Sequence, residues 1–233
     1  MLISPLGDSA LRVQLGEKMD ESTLVRVQSA CAAIEAAALP GVVELVPAYT
    51  TVTVHYDALA VARAGAEPDL ATWLGDRVRE AIARGGKAKL EKRAVVEIAV
   101  CYGGEFGPDL ARVAAQAKIS ADEVIKRHAK AEYRIALVGF APGFPYLLGL
   151  PRELATPRLA KPRTVVPAGS VGIAGEQTGI YPLATPGGWN LIGRAAVQLF
   201  NPHQTPPARL QAGDRVKFRA VSREEFQRLE GRA

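Results

Sequence analysis

Gly139-Phe140-Ala141-Pro142-Gly143-Phe144-Pro145-Tyr146 opens a stretch that continues through Pro157-Arg158, Pro162-Arg163, Pro167-Ala168-Gly169-Ser170, Gln177-Thr178-Gly179-Ile180-Tyr181 and Pro186-Gly187-Gly188-Trp189 to Arg194. These 56 residues hold 10 of the 22 glycines and 8 of the 16 prolines. Glycine admits positive φ and close backbone approach, and proline removes chain freedom together with a donor, so a mixture this dense gives either disorder or a tightly shaped surface. The interleaved Phe, Tyr, Trp, Val and Ile select the second. Short β-prone pieces, Thr164-Val165-Val166, Val171-Gly172-Ile173-Ala174 and Asn190-Leu191-Ile192, alternate with turn signals, which predicts a barrel or sandwich whose closure protects its edges.

Around this block the chain divides. On its C-terminal side, residues 195–200 and 214–221 read as two more strands, and residues 223–229 as a helix. Before it, residues 94–100 are strand-like, residues 108–117 and 120–129 are helical, and residues 133–138 form another strand. Ser120 with Glu123 three residues on has the spacing of a capping box. Residues 10–15 alternate like a half-buried strand, Asp20 offers a helix cap, and residues 23–39 carry apolar side chains at helical spacing until Pro40-Gly41. A hairpin over 42–46 and 50–56 and a helix over 68–83 follow. Residues 84–93 turn polar and rich in Gly and Lys, a plausible linker, so the expected domains are 1–88, a small α/β unit, and 89–233, the barrel.

With 48% hydrophobic and 23% charged residues, the composition is that of an ordinary globular protein. The net charge of +5 raises the question of nucleic acid, but Arg and Lys are scattered among Asp and Glu with no basic run, zinc spacing or RNP-like pattern, so a small anionic ligand suits the surplus better. Residues 1–15 lack the features of a signal peptide, and no apolar run approaches the ~18 residues of a membrane helix, so a cytoplasmic location with no membrane partner is expected, with Cys31 and Cys101 as buried thiols.

Between residues 139 and 194 the only acids are Glu153 and Glu176, against Arg152, Arg158, Lys161, Arg163 and Arg194. A guanidinium held between prolines, as at Pro157-Arg158 and Pro162-Arg163, has less entropy to lose on pairing with a carboxylate or phosphate; packing against surface carboxylates or a partner protein would use the same residues. Gln177, Tyr181, Tyr146 and Trp189 supply amide, hydroxyl, indole and aromatic faces, the usual lining of a small-molecule pocket, although barrel-corner packing would also account for Trp189. Arg158, Arg163, Gln177, Tyr181, Tyr146 and Trp189 are therefore the candidate substrate-binding residues, and no catalytic residue is assigned.

Other chemistries fit less well. Gly103-Gly104-Glu105-Phe106-Gly107-Pro108-Asp109 lacks both phosphate-loop and dinucleotide spacing, so it reads as a helix-entry turn with Asp109 near the positive end of the dipole and Glu105 as a candidate acid or base. His55, His128 and His203 have no second ligand at metal spacing, so no metal is expected, and His128 is placed as a cation near a helix C-terminus. Ser170 lacks the nucleophile elbow and its triad partners.

On these residues the chain resembles the family that contains the B subunit of 5-oxoprolinase, allophanate hydrolase subunit 1 and the kinase-inhibitor (KipI-like) protein of sporulating bacteria. The matching positions are Gly7-Asp8, the run from Gly41-Val42 through Pro47-Ala48-Tyr49 to Tyr56-Asp57, Tyr102 to Leu110, His128 with Tyr133, the block from 139 to 194, and Gly213-Asp214-Arg215-Val216-Lys217-Phe218. Ala195-Ala196 departs from the Thr-Pro that the family commonly shows there. The resemblance implies an α+β protein in which a small α/β N-terminal domain precedes a cyclophilin-like β-barrel.

It further implies the B subunit of an ATP-dependent 5-oxoprolinase that opens 5-oxoproline to L-glutamate. Its partners would be a homologous C subunit (allophanate hydrolase subunit 2-like) and a LamB/YcsF-like A subunit. ATP would be bound by those partners or shared with them, and the isolated chain would be inactive. The alternatives in the same family are a carboxyltransferase-like component of urea or allophanate metabolism and a non-enzymatic histidine-kinase inhibitor.

Overall fold

A computed structural model of the chain describes residues 1–65, 69–85 and 94–231. The chain divides into two compact units, Met1–Lys92 and Arg93–Ala233. Most of the expected linker, residues 86–93, and the first residue of the expected helix over 68–83 lie outside the described residues.

The first unit is a four-stranded antiparallel sheet in the order β1-β2-β4-β3, formed by β1 (Leu2–Pro5), β2 (Ala10–Gln14), β3 (Val42–Pro47) and β4 (Thr51–Tyr56). Leu11, Val13, Val52 and Val54 point to one face and are fully buried against α1 (Glu21–Ala37) and α3 (Leu70–Arg84), whose Val27, Ala30, Ile34, Leu74 and Val78 complete that core. The period-2 alternation of strands β2 and β4 decides the face, and the i, i+3, i+4 spacing of the helices supplies its cover. Asp20 caps α1 by accepting from the Thr23 amide at 2.8 Å. The helix ends at Ala37, two residues before the expected Leu39, because Ala38 takes a left-handed φ of 45°. Strand β1 is a departure from the sequence reading: four residues ending in Pro carry no periodic signal, and pairing with β2 alone orders them. So is the one-and-a-half-turn α2 (Ala58–Arg63), which Asp57 caps through the Leu59 and Ala60 amides.

The second unit is a closed barrel of seven strands in the order β10-β7-β6-β13-β5-β12-β9. Its strands are β5 (Val95–Tyr102), β6 (Glu132–Val138), β7 (Pro145–Leu148), β9 (Ser170–Ala174), β10 (Gln177–Ile180), β12 (Asn190–Ala195) and β13 (Arg215–Ala220). All neighbours are antiparallel except β13 and β5, which run parallel. Ile98, Val100, Tyr133, Ile135, Leu147, Val171, Ile173, Ile180, Ile192, Val216 and Phe218 point inward, and Leu110, Val113, Ala114 and Val124 from α4 (Leu110–Ala117) and α5 (Ala121–Lys130) pack onto them. A two-stranded ribbon, β8 (Arg163–Val166) with β11 (Thr185–Gly187), lies outside the barrel strands, and α6 (Arg223–Glu230) ends the unit.

Two local expectations change. Residues 195–200 do not form a strand of their own: β12 ends at Ala195, and Phe200 makes only an isolated bridge to Ala208. There the amides of Ala195 and Ala196 donate to Gly169 and Ala99, and a proline at 196 would have no N–H for the second bond. The capping box at α5 is half made: Ser120 accepts from the Glu123 amide, but the Glu123 carboxylate accepts from Arg127 instead of reaching back.

Candidate functional site

The outward side of β9, β10 and β7 is built for aromatic rings. Alternation sends Val171, Ile173 and Leu147 inward and leaves Gly172, Ala174, Gly179 and Tyr146 facing out. The two glycines are a floor: a Cβ at Gly172 would come within 3.1 Å of Trp189 Cβ, and one at Gly179 within 3.0 Å of the Phe144 ring. On that floor Phe144, Tyr181 and Trp189 pack edge to face with Tyr146, with ring centroids 4.8–6.4 Å apart, and Val166 of the ribbon and Leu191 close the cluster. Each such pair adds about 0.5–1.5 kcal/mol beyond its buried area, so the cluster is a second small core, in which Phe144, Tyr181 and Trp189 are buried and Tyr146 is half-buried. Phe140 lies at its margin, 65% exposed, with its ring edge-on to Phe144 and Tyr181 and a φ of 71° that a bulky side chain rarely adopts.

Three of the six candidates, Tyr146, Tyr181 and Trp189, thus come together. Arg158 joins them. Burial raises the pKa of both Tyr146 and Tyr181, and the Arg158 guanidinium draws both back down, as does the Trp189 amide bonded to the Tyr181 hydroxyl. The backbone beside Arg158 is tied on both sides: the Pro157 carbonyl accepts from Asn190 Nδ2 at 2.9 Å, and the Leu159 amide donates to the Gly188 carbonyl at 2.7 Å. Asn190 is itself fully buried and also donates to Ile173, so it bolts the Arg158 segment to the barrel wall. Among the described residues no carboxylate pairs with Arg158, which is exposed. Gln177 begins β10 on the same outward face, two residues before Gly179.

Arg163 is engaged differently. Its Nη2 donates to Asp109 Oδ1 at 2.8 Å, while Asp109 Oδ2 accepts from the Leu191 amide at 2.7 Å. Asp109 holds the N-cap position of α4, at the expected positive end of the dipole, but makes no capping bond and spends its oxygens on a long-range tie. The glycine loop before it folds onto β12. The amides of Gly103, Gly107 and Asp109 donate to Ile192, Gly103 and Leu191, and a Cβ at Gly107 would lie 2.2 Å from the Ile192 oxygen. Those three donors are spent on backbone.

Two further candidates change character. His128 is not a cation at a helix end: it is completely buried within the barrel, and desolvation lowers its pKa to about 3. Thr178 Oγ1 donates to the Gly172 carbonyl, so it accepts from His128 Nε2–H at 3.0 Å, and His128 Nδ1 accepts from the Tyr102 hydroxyl at 2.8 Å. The ring stacks on Phe218 and lies 5.3 Å from Tyr133, whose hydroxyl donates to the His128 carbonyl. Glu105 is exposed and pairs with Arg223, away from any buried acid-base partner. Neither cysteine is fully buried, although burial pushes the Cys31 thiol up to about 12. Asp109 and Asn190 are the residues that sequence reading missed. Their partners lie 17 to 82 positions away, beyond any local spacing rule.

Among the described residues no helix is long and apolar enough to cross a membrane. Comparison with known proteins places these features in a wider group. The chain is 45% identical over 227 residues to a protein of Bacillus subtilis (strain 168) named as the B subunit of 5-oxoprolinase, covering 96% of this chain and 94% of that one. Among solved structures, TTHA0988 superposes with a TM-score of 0.78 at 36% identity over 91% of this chain, which spans only 40% of that longer protein. The conserved uncharacterized protein PH0987 of Pyrococcus horikoshii is 43% identical, covers 97% of this chain and 100% of its own, and has a TM-score of 0.57. The family model for the carboxyltransferase domain, subdomain C and D, matches residues 1–210, and the chain belongs to that family.

Proposed function

We propose that the chain is the B subunit of an ATP-dependent 5-oxoprolinase, and that its aromatic and arginine-lined outer barrel face receives the carboxylate of 5-oxoproline. The observation that carries the site is Arg158, a guanidinium that no carboxylate pairs with among the described residues, whose neighbouring backbone is tied down on both sides and whose charge reaches both Tyr146 and Tyr181. The name of the Bacillus subtilis relative, matched along nearly its whole length, supports the reaction.

The chemistry is coherent with such a face. An unstrained lactam resists water, and phosphorylating its amide oxygen makes the carbonyl a better electrophile. In this chain Arg158 neutralises the substrate carboxylate, the half-buried Tyr146, backed by Trp189, holds the ring, and Gln177 orients it by hydrogen bonding. Tyr181 is a protonated phenol at neutral pH, and burial moves its pKa further up. ATP is bound by the partners, a homologous C subunit and a LamB/YcsF-like A subunit, and the chain is inactive alone.

The test is ATP-dependent glutamate formation from 5-oxoproline by the reconstituted three-component complex. Replacing Arg158→Met is expected to raise KM for 5-oxoproline by about tenfold or more, with a smaller change in kcat, as expected when uniform ground-state binding is lost. A wild-type complex that is silent on 5-oxoproline but transfers a carboxyl group to urea would remove the assignment.

A further inference from the structure

We infer that Asp109 is a positioning residue for substrate binding: it fixes the Arg163 guanidinium so that the second terminal nitrogen, Nη1, is presented to the carboxylate of the ligand. The inference rests on the oxoprolinase reading above, and it divides the work of the two arginines.

Asp109 is 9% exposed, and a carboxylate that far from water needs its charge and both oxygens matched. It stands where a helix cap would use it locally, yet it makes no cap. One oxygen instead accepts from the Leu191 amide in β12 and the other from Arg163 Nη2 at the start of β8, so one side chain joins the α4 entry, the barrel wall and the outer ribbon. A guanidinium is planar and rigid, so holding Nη2 on Asp109 also fixes the direction of Nη1.

That second nitrogen is buried and, among the described residues, has no hydrogen-bond partner. On the same ribbon Thr185 Oγ1 is likewise buried and unpartnered. Across the ribbon Arg163 pairs with Gly187, where a Cβ would come within 2.4 Å of the Tyr181 hydroxyl, and the charge of Arg163 is felt by Tyr181. A donor held rigidly and desolvated, on the ribbon that covers Tyr181, is the arrangement that a ligand carboxylate completes bidentately or in concert with Arg158. A tie that served only to staple the loop to the ribbon would require no unsatisfied buried nitrogen on Arg163.

The experiment uses the complete complex, with 5-oxoproline as the variable substrate and thermal unfolding recorded for each variant. Asp109→Asn, which retains the shape of the side chain, and Arg163→Lys are each expected to raise KM on the order of tenfold with a smaller effect on kcat. The double variant should be no worse than the poorer single one, because Asp109 acts through Arg163. Unchanged KM in either single variant, or effects that multiply in the double, overturns the inference. If Asp109→Asn does not fold, Arg163→Ala decides: a raised KM restored by free guanidinium supports the proposal, and an unchanged KM overturns it. A wild-type complex without 5-oxoproline turnover removes the oxoprolinase reading and this inference together, whereas an active wild type with unmoved KM removes only the inference.

Discussion

Gly187 and His128 show how single residues decide this fold in opposite ways. Gly187 has no side chain because the Tyr181 hydroxyl occupies the place where one would be, 2.4 Å from an ideal Cβ. Phe144 and Trp189 clamp the Tyr181 ring, so it has little room to yield. Gly187→Ala is expected to cost about 1–3 kcal/mol, read by chemical denaturation, and to weaken 5-oxoproline binding at the same time. His128 is a polar residue that the interior tolerates only in its neutral form. Its folded pKa of about 3 lies below the ordinary 6.5, so the unfolded chain binds a proton that the native barrel refuses between those values. Stability is therefore complete above about pH 6.5 and falls as pH drops towards 3, by roughly 1.4 kcal/mol per pH unit at the steepest. Denaturation midpoints taken between pH 6.5 and 5, above the ordinary carboxylate range, should show this slope in the wild type. His128→Gln should lose stability at neutral pH and flatten it.

At the level of helices and strands, capping and register do most of the local specification. Ser120 starts α5 by accepting from the Glu123 amide at 3.1 Å, and α5 carries both Val124 and His128 into the barrel core. Ser120→Ala is expected to destabilise the protein by about 1 kcal/mol in a thermal or urea melt, and Ser120→Asp to restore most of that loss. Strands β9 and β10 are read differently on their two faces: Val171, Ile173 and Ile180 build the barrel core, while Gly172, Gly179 and Ala174 make room for rings on the outside. A one-residue slip would drive those aliphatic side chains into Trp189 and Phe144, so the glycine pattern pins the register. The ribbon of β8 and β11 then encloses the aromatic cluster and brings Arg163 to Asp109.

Across the molecule, closure is the governing fact of the second unit. Seven strands with β13 parallel to β5 require residues over a hundred positions apart to pair, as Arg215 does with Val95 and Phe218 with Ile98. Closure leaves no barrel edge unpaired and buries a continuous core from Ile98 to Phe218. It also makes the candidate site a product of distant segments: Asp109 from the α4 entry, Tyr146 from β7, Arg158 and Arg163 from the Pro-rich stretch, and Tyr181 with Trp189 from the segments around β11. The integrity of the site therefore depends on the whole barrel.

Most of the elements are legible in the chain, since periodicity, caps and Gly/Pro punctuation are local properties with local physical causes. The acid-poor stretch with Arg158, Tyr146, Tyr181 and Trp189 is legible in the same way. Strand β1 is not, because it exists only as a partner of β2, and neither is the end of β12 at Ala195, where the chain leaves the ladder for Gly169 and Ala99. The charge state of His128 belongs wholly to the folded barrel, because desolvation depends on what encloses a group and not on its neighbours in sequence. So does the pairing of Arg163 with Asp109 while Arg158 meets no carboxylate among the described residues: two Pro-Arg dipeptides are alike as sequence and differ in what the fold brings within reach.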